Sequence, residues 1–368
     1  MKDVRIDRRL FLRGIGAVAA GAAVTSLTAC GTGTSRSAGT NSGATGSKTI
    51  VVRNSGGAYG EANQKAIYEP FSKETGIEVK VVNVVGAQML AQMQQGRPQF
   101  DVIDGSMPDF VKFAAQGLTE QLDYDRLKST KDAGIAPNLL APNMVGKNYW
   151  ASVMAYRTDA FGGKKPSSWA DFWDVKALPG NRALQHADAD MPELEFALLA
   201  DGVPLDKLYP PDVDRAFRVM DQVKGSIKKY WDTGALPGVL LGRKEVDATS
   251  VWHGRLDELI RQGQPLAYQW NGTRRQSNAW AIPKGSGNPD AAYQLIDFSL
   301  RPEVQAAFAE IYPMGPVVPA AYRKLSESAA ANLASSPEHL KTGFDMDVQW
   351  WVQNETAVLK RWQEWARA

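Results

Sequence analysis

Short apolar runs that alternate with amphipathic helical patterns dominate this chain from Thr49 onward. Ile50–Val52 predicts a buried strand, and the segment from Tyr59 to Thr75 repeats its apolar residues with helical spacing. Ile77 to Val81 then alternates apolar and charged residues like a strand, and Ala87–Gln95 predicts the next helix. Because strands that are separated by helices pair in parallel, the pattern predicts an α/β fold with helices on both faces of the sheet.

The same alternation continues through the second half of the chain. Trp150–Tyr156 and Asn278–Ile282 predict strands, and Pro211–Lys224 predicts a strong helix with proline at its first position. A chain of 368 residues is long enough for two α/β lobes. If the chain crosses between lobes near Met154 and Ala281, a ligand would lie in the cleft where strand ends and loops face each other.

Residues 1–29 predict an export signal. Their basic part contains Asp7–Arg13, "DRRLFLR", which is typical of twin-arginine signals, and an uncharged stretch from Gly14 to Leu27 follows. That stretch is too short and too rich in alanine and glycine for a membrane span. Leu27–Gly31, "LTACG", resembles a bacterial lipobox, in which Cys30 becomes the lipidated residue.

Cys30 is the only cysteine of the chain, which excludes a disulfide framework and a cysteine-built zinc site. A plain small residue near a cleavage site is the alternative to a lipid anchor here. Residues 30–48 are rich in glycine, serine and threonine, and they predict a flexible tether. We therefore expect the protein in the periplasm or at the cell surface, held to the membrane through Cys30.

Charge and motifs argue against nucleic-acid binding and against catalysis. Residues 1–29 carry five basic and two acidic side chains, so their +3 leaves −1 of the formal +2 for the rest of the chain. No GxSxG, HExxH, Walker A or zinc pattern is present, and the three histidines, His186, His253 and His339, have no ligand-spaced partner. We therefore predict no catalytic residue, no metal and no cofactor, and we interpret the histidines as surface or packing residues.

The loop Asn54–Glu61, "NSGGAYGE", follows the first predicted strand in the manner of a phosphate-cradling loop. Its glycines do not follow the G-x-G-x-x-G spacing, and no P-loop lysine comes after them. We interpret it as a tight turn that brings the backbone and Tyr59 close to a small ligand.

Aromatic and acidic residues at predicted strand ends indicate where a ligand binds. Among the 11 tryptophans, those at strand ends are Trp150, Trp231 and Trp252. Each is typical of core packing by itself, but several rings in one cleft can bind a cation or stack on an apolar ligand. Acidic residues where a strand gives way to a helix are Asp188, Asp190 and Glu193. Such an acid either interacts with the helix dipole or pairs with an ammonium group of a ligand.

Four blocks of the sequence are characteristic of a known family: Gly56–Val79, Ala197–Phe217, Leu240–Pro265 and Ala279–Glu310. They resemble the extracellular solute-binding proteins of ABC importers, and the putrescine/spermidine-type proteins above all. The resemblance extends from Thr49 to about Leu325 and implies a two-lobe periplasmic-binding-protein fold of type II, with two crossovers and hinge closure. The first lobe would comprise residues 48–153 and 281–318, and the second residues 154–280 and 319–368.

The resemblance also implies ligand contacts at individual positions. In the first lobe these are Ala58, Tyr59, Ser106 and Met107, and Trp150 lies where the chain crosses between lobes. In the second lobe Glu193 lies near the amine-binding acid of the family, with Asp188 and Asp190 as alternatives. The matched aromatic walls are Trp231 and Trp252, and two further matched positions are Asn278 and Met314.

Two matched positions depart from the polyamine-binding pattern. Asn278 replaces a common aspartate, and Met314 replaces a tyrosine often found before the following Gly-Pro. Since an amide cannot neutralise a second ammonium group, a long polycation fits poorly. A shorter amine, or a zwitterion whose carboxylate meets Arg157 or Arg255, fits better. A helix cap or a surface salt bridge with Asp257 is the other interpretation of Arg255.

Together, the resemblance and the residues predict the monomeric substrate-binding component of an ABC importer. It would capture a small amine such as putrescine and deliver it to a membrane permease. The same module could instead bind an ω-amino acid, an opine- or phosphonate-like compound, a sugar or a metal chelate. An exported enzyme and a structural surface lipoprotein are the other classes, and the missing nucleophile–base pair argues against the enzyme.

Overall fold

Residues Thr49–Arg367 are described by the computed structural model of the protein, so the export signal, Cys30 and the tether lie outside the described residues. The strands are β1 Thr49–Arg53, β2 Glu78–Val82, β3 Val102–Ser106, β4 Leu140–Ala141, β5 Met144–Arg157, β6 Arg182–Gln185, β7 Ile227–Trp231, β8 Ala248–Trp252, β9 Leu266–Ala281, β10 Gly315–Pro316 and β11 Phe344–Asp345. The α-helices are α1 Gly57–Asn63, α2 Glu69–Thr75, α3 Gly86–Gln94, α4 Met107–Ala115, α5 Trp169–Trp173, α6 Leu194–Ala200, α7 Val213–Lys224, α8 Leu236–Gly242, α9 His253–Arg261, α10 Pro289–Ser299, α11 Pro302–Ile311, α12 Glu327–Ala331, α13 His339–Thr342 and α14 Val348–Arg367.

The strands of the described region form one mixed sheet in the order β2-β1-β3-β9-β5-β8-β6-β7. At one end β1 pairs in parallel with β2 and β3, and at the other end β6 pairs in parallel with β7 and β8. The short strands β4 and β10 pair with β5, and β11 pairs with β9. Parallel pairs joined through helices confirm the α/β class that the sequence predicts.

Two long antiparallel strands, β5 and β9, pass through both lobes and form the crossovers. Towards the first lobe, β9 pairs with β3 over a stretch that ends with Ser106 opposite Asn278. Towards the second lobe, β5 pairs with β8 from Ser152 opposite Trp252 onward. The register between β5 and β9 is irregular beyond Ser152, which is where the pairing passes from one lobe to the other. The exact lobe boundaries stay a prediction.

The turn after β1 shows why glycines occupy this position. Gly56 and Gly57 have φ of +71° and +63°, which side-chain-bearing residues rarely adopt. The Asn54 Oδ1 accepts a hydrogen bond of 2.8 Å from the Gly56 amide and tightens the turn. The helix that follows contains a π-helical segment, Gln64–Tyr68, directly before the proline at position 70. A proline lacks the N–H for the regular hydrogen-bond ladder, which gives the π-helical segment a local cause.

Several elements differ from the sequence prediction. β9 begins at Leu266, twelve residues before its predicted start, and no bounds were predicted for β6 and β7. Polar residues that are buried in these strands, such as Arg182 and Arg274, hide the usual alternation. Helix α7 begins at Val213 with Asp212 as its N-cap, so Pro211 precedes the helix and is not its first residue.

The C-terminal helix α14 packs two of its tryptophans into the core of the second lobe. Trp351 and Trp362 are buried in the same cluster as Phe196 and Phe217 of the second lobe. Within Thr49–Arg367, no helix combines the length and the apolar character that a membrane span requires.

Candidate functional site

A cavity of about 430 Å³ lies between the two lobes, in the size range of small-molecule sites. The loops that follow β1, β3, β6 and β8 converge on it, together with β9 and the segment after α11. The predicted site residues that line it are Tyr59, Ser106, Trp150, Asp188, Asp190, Trp252, Arg255, Asn278 and Met314.

Four predicted residues lie elsewhere. Ala58 lines a neighbouring, more open cavity, and Met107 is buried at the start of α4 beside a third cavity. Trp231 is wholly buried behind Trp252, with ring centroids 5.5 Å apart, because the last residue of β7 points into the core. Glu193 is only 4% exposed and lies behind the cavity wall. These residues can support the wall but do not form its surface.

Arg157 also lies away from the cavity. Its guanidinium forms ion pairs with Asp159 at 2.8 Å and with Asp247 at 3.3 Å. Because both charges are satisfied at the far end of β5, Arg157 is not available to a ligand carboxylate. Arg157 is not among the residues that line the cavity.

Aromatic rings form two walls of the cavity. Trp150 and Trp252 meet edge to face with centroids 5.6 Å apart, and Tyr59 meets Tyr312 in the same way at 5.9 Å. Trp252 lies against Gly234, where a Cβ atom would come within 2.7 Å of the indole ring. The rings therefore offer π faces and apolar edges that suit an alkylammonium group.

The Tyr59 hydroxyl is fully used inside the first lobe. It donates to the Asp104 carboxylate at 2.9 Å and accepts from Lys147 at 2.9 Å and from Asn278 at 3.1 Å. A tyrosine hydroxyl has one donor and two acceptor sites, so no further hydrogen bond remains for a ligand. Burial, together with the charge of Asp104, raises the Tyr59 pKa well above its usual value, which keeps the hydroxyl protonated. Tyr59 thus presents its ring and not its hydroxyl.

Beneath Tyr59 lies a buried ion pair. The Lys147 Nζ is 2.5 Å from the Asp104 Oδ2, and both side chains are 1% exposed. The Asn63 side-chain oxygen accepts a second hydrogen bond from Lys147, also at 2.5 Å. Asp104 is therefore neutralised by the protein itself and offers no charge to a ligand.

In the second lobe, Asp190 is the acid that the structure orients at the cavity. It accepts a hydrogen bond of 2.7 Å from the Gln276 side chain, and Arg274 lies 3.5 Å away. Burial raises the Asp190 pKa, and the Arg274 charge opposes that effect. The Asp190 side chain keeps 16% of its surface exposed, whereas Asp188 beside it is 73% exposed at the mouth. Both carboxylates keep exposed surface that an ammonium group can approach, while Arg274 lies beside Asp190 and the His186 ring lies 3.4 Å from Asp188.

Glu193 is buried behind Asp190 and does not reach the cavity. One of its oxygens accepts from the Gln185 amide at 3.2 Å, and the other has no hydrogen-bond partner. Burial raises the Glu193 pKa to about 7, against the opposing influence of Arg274 and of hydrogen bonds from Ser250 and Gln185.

Arg255 extends into the cavity from the first turn of α9. Asp257 pairs with Arg261 at 3.2 Å, so the surface salt bridge considered for Arg255 is not formed. Between Thr49 and Arg367, the Arg255 guanidinium has neither a hydrogen bond nor an ion pair. It is a cation that a ligand carboxylate can approach.

The sequence did not single out some residues of the cavity, among them Asp109, Lys112, Tyr312 and Glu355. Lys112 and Glu355 face each other at 2.6 Å although 243 positions separate them. Ser106 caps α4 and donates to Asp109 at 2.7 Å, so its hydroxyl is also committed. The N-cap spacing of Ser106 and Asp109 is visible in the sequence, whereas the Lys112–Glu355 contact is not.

The histidines bear packing and backbone contacts. The His253 ring lies 2.5 Å from the Pro313 carbonyl oxygen, and burial lowers the His253 pKa. His339 stacks on Trp270, and His186 meets Trp362 edge to face. In the region that the structure describes, no group of three His, Cys, Asp or Glu side chains is placed to hold a metal.

Comparison with known families assigns the chain to a class. A model of the family "Bacterial extracellular solute-binding protein" matches residues 66–339. The chain belongs to this family, and it is the solute-binding component of an ABC importer. The predicted two-lobe periplasmic-binding-protein fold is confirmed by its structural neighbours.

Individual relatives match most of the length of the chain. The chain is 32% identical over 327 residues to a gamma-aminobutyric acid-binding protein of Pseudomonas aeruginosa, covering 87% of this chain and 91% of that protein. It is 29% identical to a putrescine/agmatine-binding protein of the same species, covering 75% of this chain and 82% of that one. The crystal structure of an ABC transporter substrate-binding protein from Bradyrhizobium japonicum matches with a TM-score of 0.81 and 34% identity, covering 86% of this chain and 99% of that one. The predicted resemblance to the polyamine-binding group is confirmed.

Proposed function

We propose that the cleft captures a short solute that carries an ammonium and a carboxylate group, an ω-amino acid such as γ-aminobutyrate. The observation that carries this proposal is the pairing state of the charges around the cavity. Arg255 is free to receive a carboxylate, and Asp188 and Asp190 are open to an ammonium group.

Two of the other acids near the cavity are paired with lysines, and Asp109 accepts a hydrogen bond from Ser106. Asp104 is neutralised by Lys147, and Glu355 is neutralised by Lys112. A solute with one positive and one negative group therefore matches the charges that remain. The similarity to a gamma-aminobutyric acid-binding protein supports the same ligand class.

The aromatic walls suit the methylene chain between the two charged groups. Trp150, Trp252 and the Tyr59 ring can cover alkyl carbons and contribute a cation–π contact to the ammonium end. A four-carbon chain is small relative to the 430 Å³ of the cavity, so solutes of somewhat greater length also fit.

A diamine such as putrescine is the second candidate. Asp109 joins Asp188 and Asp190 on the cavity wall, so carboxylates outnumber the single unpaired cation there. A diamine would leave one ammonium group near Arg255, which is unfavourable. The similarity to a putrescine/agmatine-binding protein supports this candidate.

Titration calorimetry with matched ligands separates the two candidates. γ-Aminobutyrate and putrescine have four carbons each, and butyrate and n-butylamine serve as controls that carry one charge each. We expect γ-aminobutyrate to bind most tightly and each control to lose most of the affinity. If no amine binds more tightly than millimolar, the ligand class is wrong.

Arg255→Gln tests the carboxylate contact directly. A hydrogen-bonded charge contact is worth about 1.5–3 kcal/mol, and the exposure of Arg255 places this one at the low end, or roughly tenfold in Kd. The affinity for γ-aminobutyrate should fall by that factor, while the affinity for putrescine should not fall. Equal weakening of both would show that Arg255 supports the wall and does not bind a carboxylate.

We also propose that the protein is exported and anchored through Cys30, and that it acts as a monomer on a membrane permease without covalent chemistry. The supporting observations are the twin-arginine pattern, the lipobox and the extracellular family. Metabolic labelling with a palmitate analogue should label the wild-type protein and not Cys30→Ser. Recovery of an unlabelled wild-type protein from the soluble fraction would contradict the anchor.

A further inference from the structure

A salt bridge connects two side chains that line the cavity, one from α4 and one from α14. Lys112 lies on α4, the helix that follows β3 of the first lobe. Glu355 lies on α14. The Lys112 Nζ is 2.6 Å from one Glu355 carboxylate oxygen and 2.9 Å from the other. The side chains are 31% and 23% exposed, so the pair is partly shielded from water.

Helix α14 is fixed to the second lobe on the face that carries its tryptophans. Trp351, one turn before Glu355, donates its indole N–H to Glu195 at 2.7 Å. Glu195 in turn pairs with Arg274 at 3.3 Å, and the same guanidinium lies 3.5 Å from Asp190. A short series of polar contacts thus connects the acid of the cavity to the helix that carries Glu355.

We propose that Glu355 and Lys112 form an interlobe clasp, which stabilises the closed cleft and slows the release of the solute. The pair is the ionic contact that links α14, held on the second lobe, to α4 of the first. Because both side chains also line the cavity, opening the cleft for release requires breaking this contact. The clasp is independent of the chemical identity of the solute.

The expected effect follows from the exposure of the pair. A partly exposed ion pair shifts an equilibrium by up to about fivefold, and this value is reduced at high salt. Glu355→Gln should therefore raise the open-to-closed ratio of the lobes by about that factor. Loss of the clasp should appear mainly in the dissociation rate, because the pair forms after the lobes meet.

Arg361→Gln is the matched control on the same helix. Arg361 pairs with Asp214 of α7, and both residues belong to the second lobe. Removing this pair changes one charge on α14 and leaves the contact between the lobes intact. Similar thermal midpoints of the two variants would show that both are folded.

Small-angle X-ray scattering of the solute-free full-length chain tests the clasp without a ligand. We expect Glu355→Gln to have a larger radius of gyration than wild type, and Arg361→Gln to match wild type. In wild type, raising NaCl from 20 to 500 mM should increase the radius, and Glu355→Gln should respond less.

Stopped-flow tryptophan fluorescence with γ-aminobutyrate gives the second measurement. Glu355→Gln should release γ-aminobutyrate up to about fivefold faster than Arg361→Gln. Equal scattering and equal release rates in the two variants would overturn the clasp. If γ-aminobutyrate does not bind, the proposed ligand fails, and the scattering comparison alone decides about the clasp.

Discussion

Glu193→Gln should make the protein more stable at alkaline pH and less stable at acidic pH. Glu193 is buried, and one of its carboxylate oxygens has no hydrogen-bond partner. The folded protein raises the Glu193 pKa from 4.5 to about 7, so it favours the protonated form. The ionisation of Glu193 therefore destabilises the wild-type fold above about pH 7 and has no such effect below about pH 4.5.

The size of the effect follows from the shift. A change of about 2.5 pKa units corresponds to roughly 3 kcal/mol at a pH above both values. Glutamine removes this penalty but places an amide in the same enclosed position, which costs about 1 kcal/mol. We therefore expect Glu193→Gln to gain about 2 kcal/mol over wild type at pH 8 and to lose about 1 kcal/mol at pH 4.5.

Urea unfolding at several pH values between 4.5 and 8 measures this difference. The free energy of unfolding of the variant minus that of wild type should rise with pH, with its steepest part below about pH 7. Glu245→Gln, a substitution at an exposed position of the same lobe, should show no such rise. A difference for Glu193→Gln that does not change with pH would refute the placement of Glu193 behind the cavity wall.

Four further substitutions test the cavity and its support, the last of them in combination. Asp190→Asn should weaken γ-aminobutyrate by about tenfold or more in calorimetry, with unchanged affinity contradicting its role as the ammonium partner. Gly234→Ala should also weaken γ-aminobutyrate binding, because the new Cβ would lie 2.7 Å from the Trp252 ring and displace the ring. An unperturbed tryptophan fluorescence spectrum would contradict this displacement. Lys147→Met should destabilise the fold by about 3–5 kcal/mol in urea, since it leaves Asp104 buried and unpaired. Adding Asp104→Asn should recover part of that loss, and a purely additive effect would show that the two side chains do not interact.

The fold could be predicted because its signals are local. Apolar alternation with charged residues marks β2, and the helical spacing after the opening loop marks α1 and α2. The short strand β6 was missed because a buried arginine, Arg182, opens it, and its guanidinium is paired by backbone carbonyls of Phe172 and Leu178. A pattern method interprets an arginine as exposed, so such a strand is visible only once its partners are known.

The candidate site could be predicted as a region but not as a set of contacts. The strand-end rule placed Trp150 and Trp252 at the cleft, and the structure puts both there. The same rule placed Trp231 there, although it is wholly buried. Whether the last side chain of a strand faces the cleft or the core depends on the register with its neighbours, which the sequence does not contain.

The segment from Asp188 to Glu195 shows the same limit most clearly. Its four acids are equivalent in the sequence, yet the structure places them at different depths, and the three deeper ones lie around one buried cation, Arg274. The side chain of Asp188 is 73% exposed, that of Asp190 is 16% exposed, and that of Glu195 is not exposed. The inner two carboxylates are enclosed, and Glu195 pairs with Arg274 and accepts a hydrogen bond from Trp351 of α14. Only the outer two can therefore exchange water for an ammonium group. Under the proposed function, the two outer acids would meet the ammonium group, and the inner Glu195 holds Arg274 and α14 in position.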